Sequence, residues 1–104
     1  MGKWLFLVEA NCKDQTQKAR FDTWYDTVHI PDVLTGSPGF QGATRYLIAH
    51  PAPGRGGYLT VYEIETDDID KTMESFRKNL QEKYALGRNS DLLDVVSRRL
   101  CKVV

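Results

Sequence analysis

Residues 21–34 read Phe-Asp-Thr-Trp-Tyr-Asp-Thr-Val-His-Ile-Pro-Asp-Val-Leu and hold the chain's best material for proton chemistry. His29 is one of only two histidines, so the choice of an acid–base centre is narrow. A neutral imidazole accepts a proton from a carbon acid or phenol at neutral pH, and the imidazolium returns it. Asp26, three residues before His29, and Asp32, just past Pro31, offer carboxylates to hold the other ring nitrogen. Tyr25 adds a phenol, and Trp24 a flat ring on which an aromatic molecule stacks. His29, Asp32 and Tyr25 are therefore the candidate catalytic set. Each also has a plainer reading. A histidine in the last turn of a helix bonds the free carbonyls and offsets the negative dipole end. Asp32 can cap or open a short turn after Pro31, and Tyr25 and Trp24 can be core.

Candidate substrate contacts beside Trp24 are Asn11, Arg45, Tyr46, Tyr58 and Tyr62. Arg45 is suited to a carboxylate or a carbonyl, although an arginine on a strand more often pairs with a neighbouring acid. Tyr58, Thr60 and Tyr62 share one face of a strand, so their hydroxyls form a row. That row lines a cleft if the face meets helices, and an interface between subunits if it does not. The glycine-rich stretch 53–57 lacks the Lys-Ser/Thr of a phosphate loop. Two widely separated histidines and two cysteines without metal-ligand spacing predict no metal site. No cofactor is expected.

These side chains need elements to place them. Residues 4–10 are apolar and bulky and read as a strand. From about Gln15 to Val28, Phe21, Trp24, Tyr25 and Val28 recur at helical spacing, with Lys18, Asp22 and Asp26 opposite. Pro31 is expected to push Ile30 out of the α region and end that helix. Residues 36–39 form a turn. Strands follow at Phe40–Ala49 and Tyr58–Glu65, joined by a Pro/Gly-rich loop over His50–Gly57. Ile69, Met73, Phe76, Leu80 and Tyr84 make the stripe of a second helix, capped by Thr66 or Asp67 and stopped at Gly87. A last strand lies between Leu92 and Val103. The order is β-α-β-β-α-β, a ferredoxin-like α+β fold with an antiparallel four-stranded sheet and two helices on one face. Residues 1–104 make a single domain.

Composition narrows the function. Fourteen basic residues balance fourteen acidic ones, which argues against a nucleic-acid or anionic-membrane surface. The apolar run 4–8 is too short for a signal peptide or a membrane span. Cys12 and Cys101 are expected to be free, buried and inert, in a reducing cytoplasm. Two helices cover one sheet face only, yet the first strand is apolar on both, with Leu5 and Leu7 opposing Trp4, Phe6 and Val8. Packing the spare face against a second copy relieves that exposure, so a homodimer is expected; the bland alternative is an outer face that is merely greasy at its centre.

The segment Trp24-Tyr25-Asp26-x-Val28-His29-x-Pro31-Asp32-Val33-Leu34, with Pro38-Gly-Phe40 and Ala43-Thr-Arg45-Tyr46, resembles the EthD-like branch of the dimeric α+β barrel superfamily. The match is densest over Leu5 to Leu47. The resemblance implies two ferredoxin-like subunits packed sheet to sheet, each with a cleft between helices and sheet, and it points to His29 as a cleft residue. It implies cofactor-free chemistry on a small apolar, aromatic or polyketide-like molecule: decarboxylation, dehydration, cyclisation or isomerisation, that is, a lyase, isomerase or cyclase. A cofactor-free monooxygenase is the alternative, for which Asn11, Trp24 and His29 are the right residue types. A non-catalytic dimeric binding or accessory protein is the other.

Overall fold

The computed structural model describes residues 2–104. Its elements run β1 (Gly2–Cys12), a short 3-10 turn (Gln15–Gln17), α1 (Lys18–Trp24), a π turn (Tyr25–His29), α2 (Ile30–Gly36), β2 (Phe40–Leu47), β3 (Tyr58–Thr66), α3 (Ile69–Ala85) and β4 (Leu93–Lys102). The four strands form one antiparallel sheet in the order β2-β3-β1-β4. This is the ferredoxin-like fold expected from the element order.

Alternation decides what each sheet face carries. Phe6, Val8, Tyr62, Ile64 and Phe40 point to the helices and pack with Val33, Met73 and Phe76 into the main core. Phe40 stacks on Phe76 at 5.2 Å, and Phe6 meets Phe76 edge-on at 5.3 Å. A second cluster gathers Phe21, Tyr25, Tyr58, Cys12 and Leu92 at the other end. Tyr58, Thr60 and Tyr62 all lie in register on the helix side, so the row of hydroxyls belongs to the interior.

The helix around His29 departs from expectation. Pro31 does not end it: Ile30 is αR, with φ −61° and ψ −48°, and its N–H reaches back five residues to the carbonyl of Tyr25. The widened π turn shifts the hydrogen-bond ladder, so the missing N–H of Pro31 falls in the first turn of α2, where it costs little. His29 thus sits within a continuous helical rod from Lys18 to Gly36, and a helix-end cap is not its position.

α3 starts later than either expected cap would set it. Asp68, not Thr66 or Asp67, is its cap, because Asp68 is extended (φ −141°) and its carboxylate accepts the N–H of Lys71 at 3.1 Å. Its far end closes as a Schellman turn, with Gly87 at φ +78° and the N–H groups of Gly87 and Arg88 reaching Tyr84 and Lys83. α2 and α3 approach closely at Gly36, where a Cβ would overlap the side chain of Asn79. Asn79 Nδ2 donates to the carbonyl of Asp32 at 2.9 Å and to Ser37 Oγ at 3.0 Å, a buried polar knot with its donors used.

On the outer face, Leu5, Leu7, Leu59 and Val61 are half-buried. Glu9 is buried beside them, with Arg55 Nε at 3.0 Å and Arg99 at 3.2 Å, and the Arg55 guanidinium holds its carboxyl below the usual range. The 48–57 loop is seated there by Gly56, whose Cβ position lies 2.8 Å from the backbone N of Ala10. Cys12 and Cys101 are both free thiols, but only Cys12 is buried; Cys101, on the edge strand, is exposed, correcting the expectation for it.

Candidate functional site

His29 is 7% exposed, and rings hold it on two sides. Trp24 stacks on it, with centroids 4.8 Å apart and planes 22° apart. Tyr25 meets it edge-on at 5.0 Å. The π turn completes this geometry: Tyr25 and His29, four apart, meet on any helix, but Trp24 and His29 are five apart, a spacing that a widened turn brings together. Burial pushes the imidazole down from 6.5 to about 4, and the charge of Asp32 opposes that shift. At neutral pH His29 is therefore an uncharged imidazole.

Asp32 does not hold a ring nitrogen as a dedicated partner. It is buried and takes both arms of Arg88, from Nε at 2.7 Å and Nη2 at 3.0 Å. The same Arg88 offers its carbonyl to Trp24 Nε1 at 2.9 Å. One residue after the Schellman glycine thus fixes both the ring stacked on His29 and the carboxylate beside it. Asp26, the other proposed orienting acid, is taken by Arg45 Nη1 at 3.0 Å.

Arg45 also binds Asp22 at 3.0 Å, and its guanidinium lies over the Tyr25 ring, 4.4 Å from the centroid. It is an anchored cation, already doubly paired. The Tyr25 hydroxyl accepts from Thr60 Oγ1 at 3.1 Å in full burial, and burial pushes its phenol up. The Tyr62 hydroxyl lies beside that of Tyr25 outside hydrogen-bond geometry and is left without a partner. Burial also raises the Tyr62 phenol, so it stays protonated and has a hydrogen to donate.

The interior therefore joins His29, Trp24, Tyr25, Asp32 and Tyr62. Tyr58 lies at its edge, against Phe21 at 5.6 Å. Asn11 and Tyr46 do not join it. Asn11 Oδ1 accepts the N–H of Gly57 at 2.8 Å. Tyr46 pairs with Leu59 across the sheet on the face away from the helices and is 51% exposed. Three residues complete the region that the sequence reading did not select: Arg88, Tyr84 and Arg98. Tyr84 interacts with Tyr25 and Tyr62 from α3, and Arg98 faces Tyr25 and Tyr84 from β4. Tyr84 was legible only as the last member of an apolar stripe.

A cleft of about 410 Å³ opens between α3 and β4, lined by Phe6, Met73, Phe76, Leu80, Tyr84 and Arg98 with two more α3 side chains at its rim. Tyr84 interacts in turn with Tyr25 and Tyr62, and the Tyr25 ring meets His29, though none of these three lines the cleft itself. Among the described residues no group of three or more His, Cys, Asp or Glu is placed to hold a metal ion. No helix is long and apolar enough to cross a membrane.

Several solved structures share this fold. A candidate antibiotic biosynthesis monooxygenase from Bordetella bronchiseptica matches at a TM-score of 0.66 and 14% identity, over 100% of this chain and 99% of that one. A dimeric ferredoxin-like protein of unknown function from Thermobifida fusca matches at 0.59 and 8%, over 98% and 90%. An EthD family protein from Bacillus halodurans matches at 0.56 and 16%, over 100% of both chains. At such identities the likeness carries the fold, and it agrees with the resemblance read from residues 24–46. No family model matches the chain, and no curated protein sequence does.

Proposed function

We propose that this protein is a small-molecule enzyme in which His29, as a neutral imidazole, exchanges a proton with a ligand taken up on the helix side of the sheet. The observation that carries the reading is the imidazole itself: buried, uncharged, and gripped by Trp24 and Tyr25 beside the Asp32–Arg88 pair. A helix interior gains nothing from a desolvated histidine, whose burial costs free energy whenever it charges. With a conjugate acid near 4, His29 is a weak base in the empty site. It gains strength when a ligand carries negative charge beside it, as an enolate or phenolate does during decarboxylation, dehydration, cyclisation or isomerisation. Asp32 and Arg88 then act as positioning residues for Trp24 and His29, and Tyr25 and Tyr62 as neutral donors. Apolar and aromatic substrates suit these walls. The test is turnover by His29→Ala and His29→Gln. We expect both to lose at least about a hundredfold in kcat; unchanged turnover removes the imidazole from the reaction.

A cofactor-free monooxygenase is the second reading, supported by the name of the Bordetella bronchiseptica structure. Equal rates with and without oxygen would rule it out. For the assembly, we propose a homodimer through the outer sheet face, since Leu5, Leu7, Leu59 and Val61 form an apolar patch there and a structural relative is described as dimeric. A solution mass of one chain at micromolar concentration would exclude it.

A further inference from the structure

We infer that the cleft between α3 and β4 takes an organic anion: a small acid with an apolar or aromatic body and one carboxylate or enolate end. The inference rests on the proposed reading of the helix side of the sheet as a ligand site, and it adds the charge of the ligand.

The cleft has two kinds of wall. Its floor is hydrocarbon and ring: Phe6, Met73, Phe76 and Leu80. Such a surface stacks and desolvates an apolar body of bicyclic size, for which about 410 Å³ is enough. Its rim carries Arg77 from α3 and Arg98 from β4. The remaining arginines show how unusual these two are. Arg45 binds Asp22 and Asp26, Arg55 and Arg99 bind Glu9, Arg88 binds Asp32, and Arg20 faces Asp91. Arg77 and Arg98 make no ion pair with any described residue. The neighbouring groove also holds Asp68, Asp70 and Glu74; Asp68 caps α3, Glu74 pairs with Lys78 at 3.3 Å, and none of the three forms an ion pair with Arg77 or Arg98. Two guanidinium forks, free and exposed at the mouth of an apolar cleft, fit a planar anion.

The inner end of the cleft is complementary to the same ligand. Tyr84 lines it, and next to Tyr84 the Tyr62 hydroxyl is 1% exposed as a residue and has no hydrogen-bond partner. A buried hydroxyl without a partner costs free energy until an acceptor arrives. A carbonyl, phenolate or carboxylate oxygen lodged at Tyr84 supplies one. Elsewhere among the described residues the buried side-chain atoms without a partner are Arg45 Nε and Ser97 Oγ, and neither residue lines the cleft.

The test is binding, measured by calorimetry with naphthalene-2-carboxylate and with its neutral analogue naphthalene-2-carboxamide. The methyl resonance of Met73 reports the location. We expect saturable binding of the carboxylate about tenfold tighter than of the amide, the size of one charge-assisted hydrogen bond. Binding should shift the Met73 methyl signal. Arg98→Gln and Arg77→Gln, both at exposed positions, should narrow the preference, and the double variant should abolish it. Equal affinity for acid and amide, a preference that survives in the double variant, an unmoved Met73 signal, or no saturable binding of either probe would overturn the inference. Failure of the His29 reading shows separately, as unchanged turnover by His29→Ala with the carboxylate preference intact.

Discussion

The interior has two ends that solve opposite problems. Around α1 and the π turn the charged groups are paired. Phe21 is fully buried, Tyr25 has Thr60, Arg45 has two acids and Asp32 has Arg88. Around α3 and β4 polar groups are free: Arg77 and Arg98 face a cleft, and the Tyr62 hydroxyl lies unpartnered beside Tyr84. Closed packing holds a neutral imidazole in place, and the loose end leaves room and charge for a partner molecule. A site of this kind separates the group that reacts from the groups that recruit.

Truncating a side chain at each end probes that contrast most strongly. Phe21→Ala should cost about 4 kcal/mol, because nothing can refill the sealed end, whereas Leu80→Ala, facing open space, should cost about 1 kcal/mol. Urea unfolding of both variants measures this, and equal losses would erase the distinction. Acid comes next. The folded value of His29 lies below the unfolded one, so the unfolded chain binds the proton first. Its contribution is intact above about pH 6.5 and is lost as pH falls toward 4, a loss of up to about 3 kcal/mol. His29→Ala should flatten that part of the stability profile; a profile identical to wild type would mean the imidazole is not desolvated.

A smaller effect is expected from Asp32→Asn. Without that charge, the His29 titration followed by NMR should move further down, and the melting temperature should fall as Arg88 loses its partner. An upward move would show that Asp32 does not act on the ring. The smallest contrast is between two phenols. Tyr25→Phe gives up the bond from Thr60 and should cost about 1 kcal/mol, while Tyr62→Phe removes an unpartnered hydroxyl and should lie within about 0.5 kcal/mol of zero. Equal losses would mean that Tyr62 has a partner after all.

Strand positions and α3 were legible because period 2 and period 3.6 are written in side-chain type, and Gly87 and the 50–57 loop punctuate them clearly. The π turn was not. A proline nine residues before a strand reads as a stop, and no local preference announces that a widened turn will absorb it. His29 was found from its residue type and its neighbours, but its depth was not, since burial depends on Trp24 being held from Arg88 across the fold. Asn11 and Tyr46 were drawn in by residue type alone, although strand alternation already sets them on the face opposite Tyr62. Arg98 and Tyr84 meet only when β4 lies beside β1 under α3, a matter of sheet order that one sequence does not state.

The π turn also fixes the phase of everything after it. A widened turn is one residue more than an α-helix needs, so deleting a single residue within 25–29 would let the rod heal into regular helix. Each residue of α-helix subtends about 100°, and the widened turn takes up one such step. Were residues 25–29 to tighten into regular helix with none lost, α2 would rotate by about that angle, carrying Val33 away from the core and Asp32 away from Arg88. Deleting one residue there would instead leave both facing as they do, so the spare residue is what keeps the address of α2.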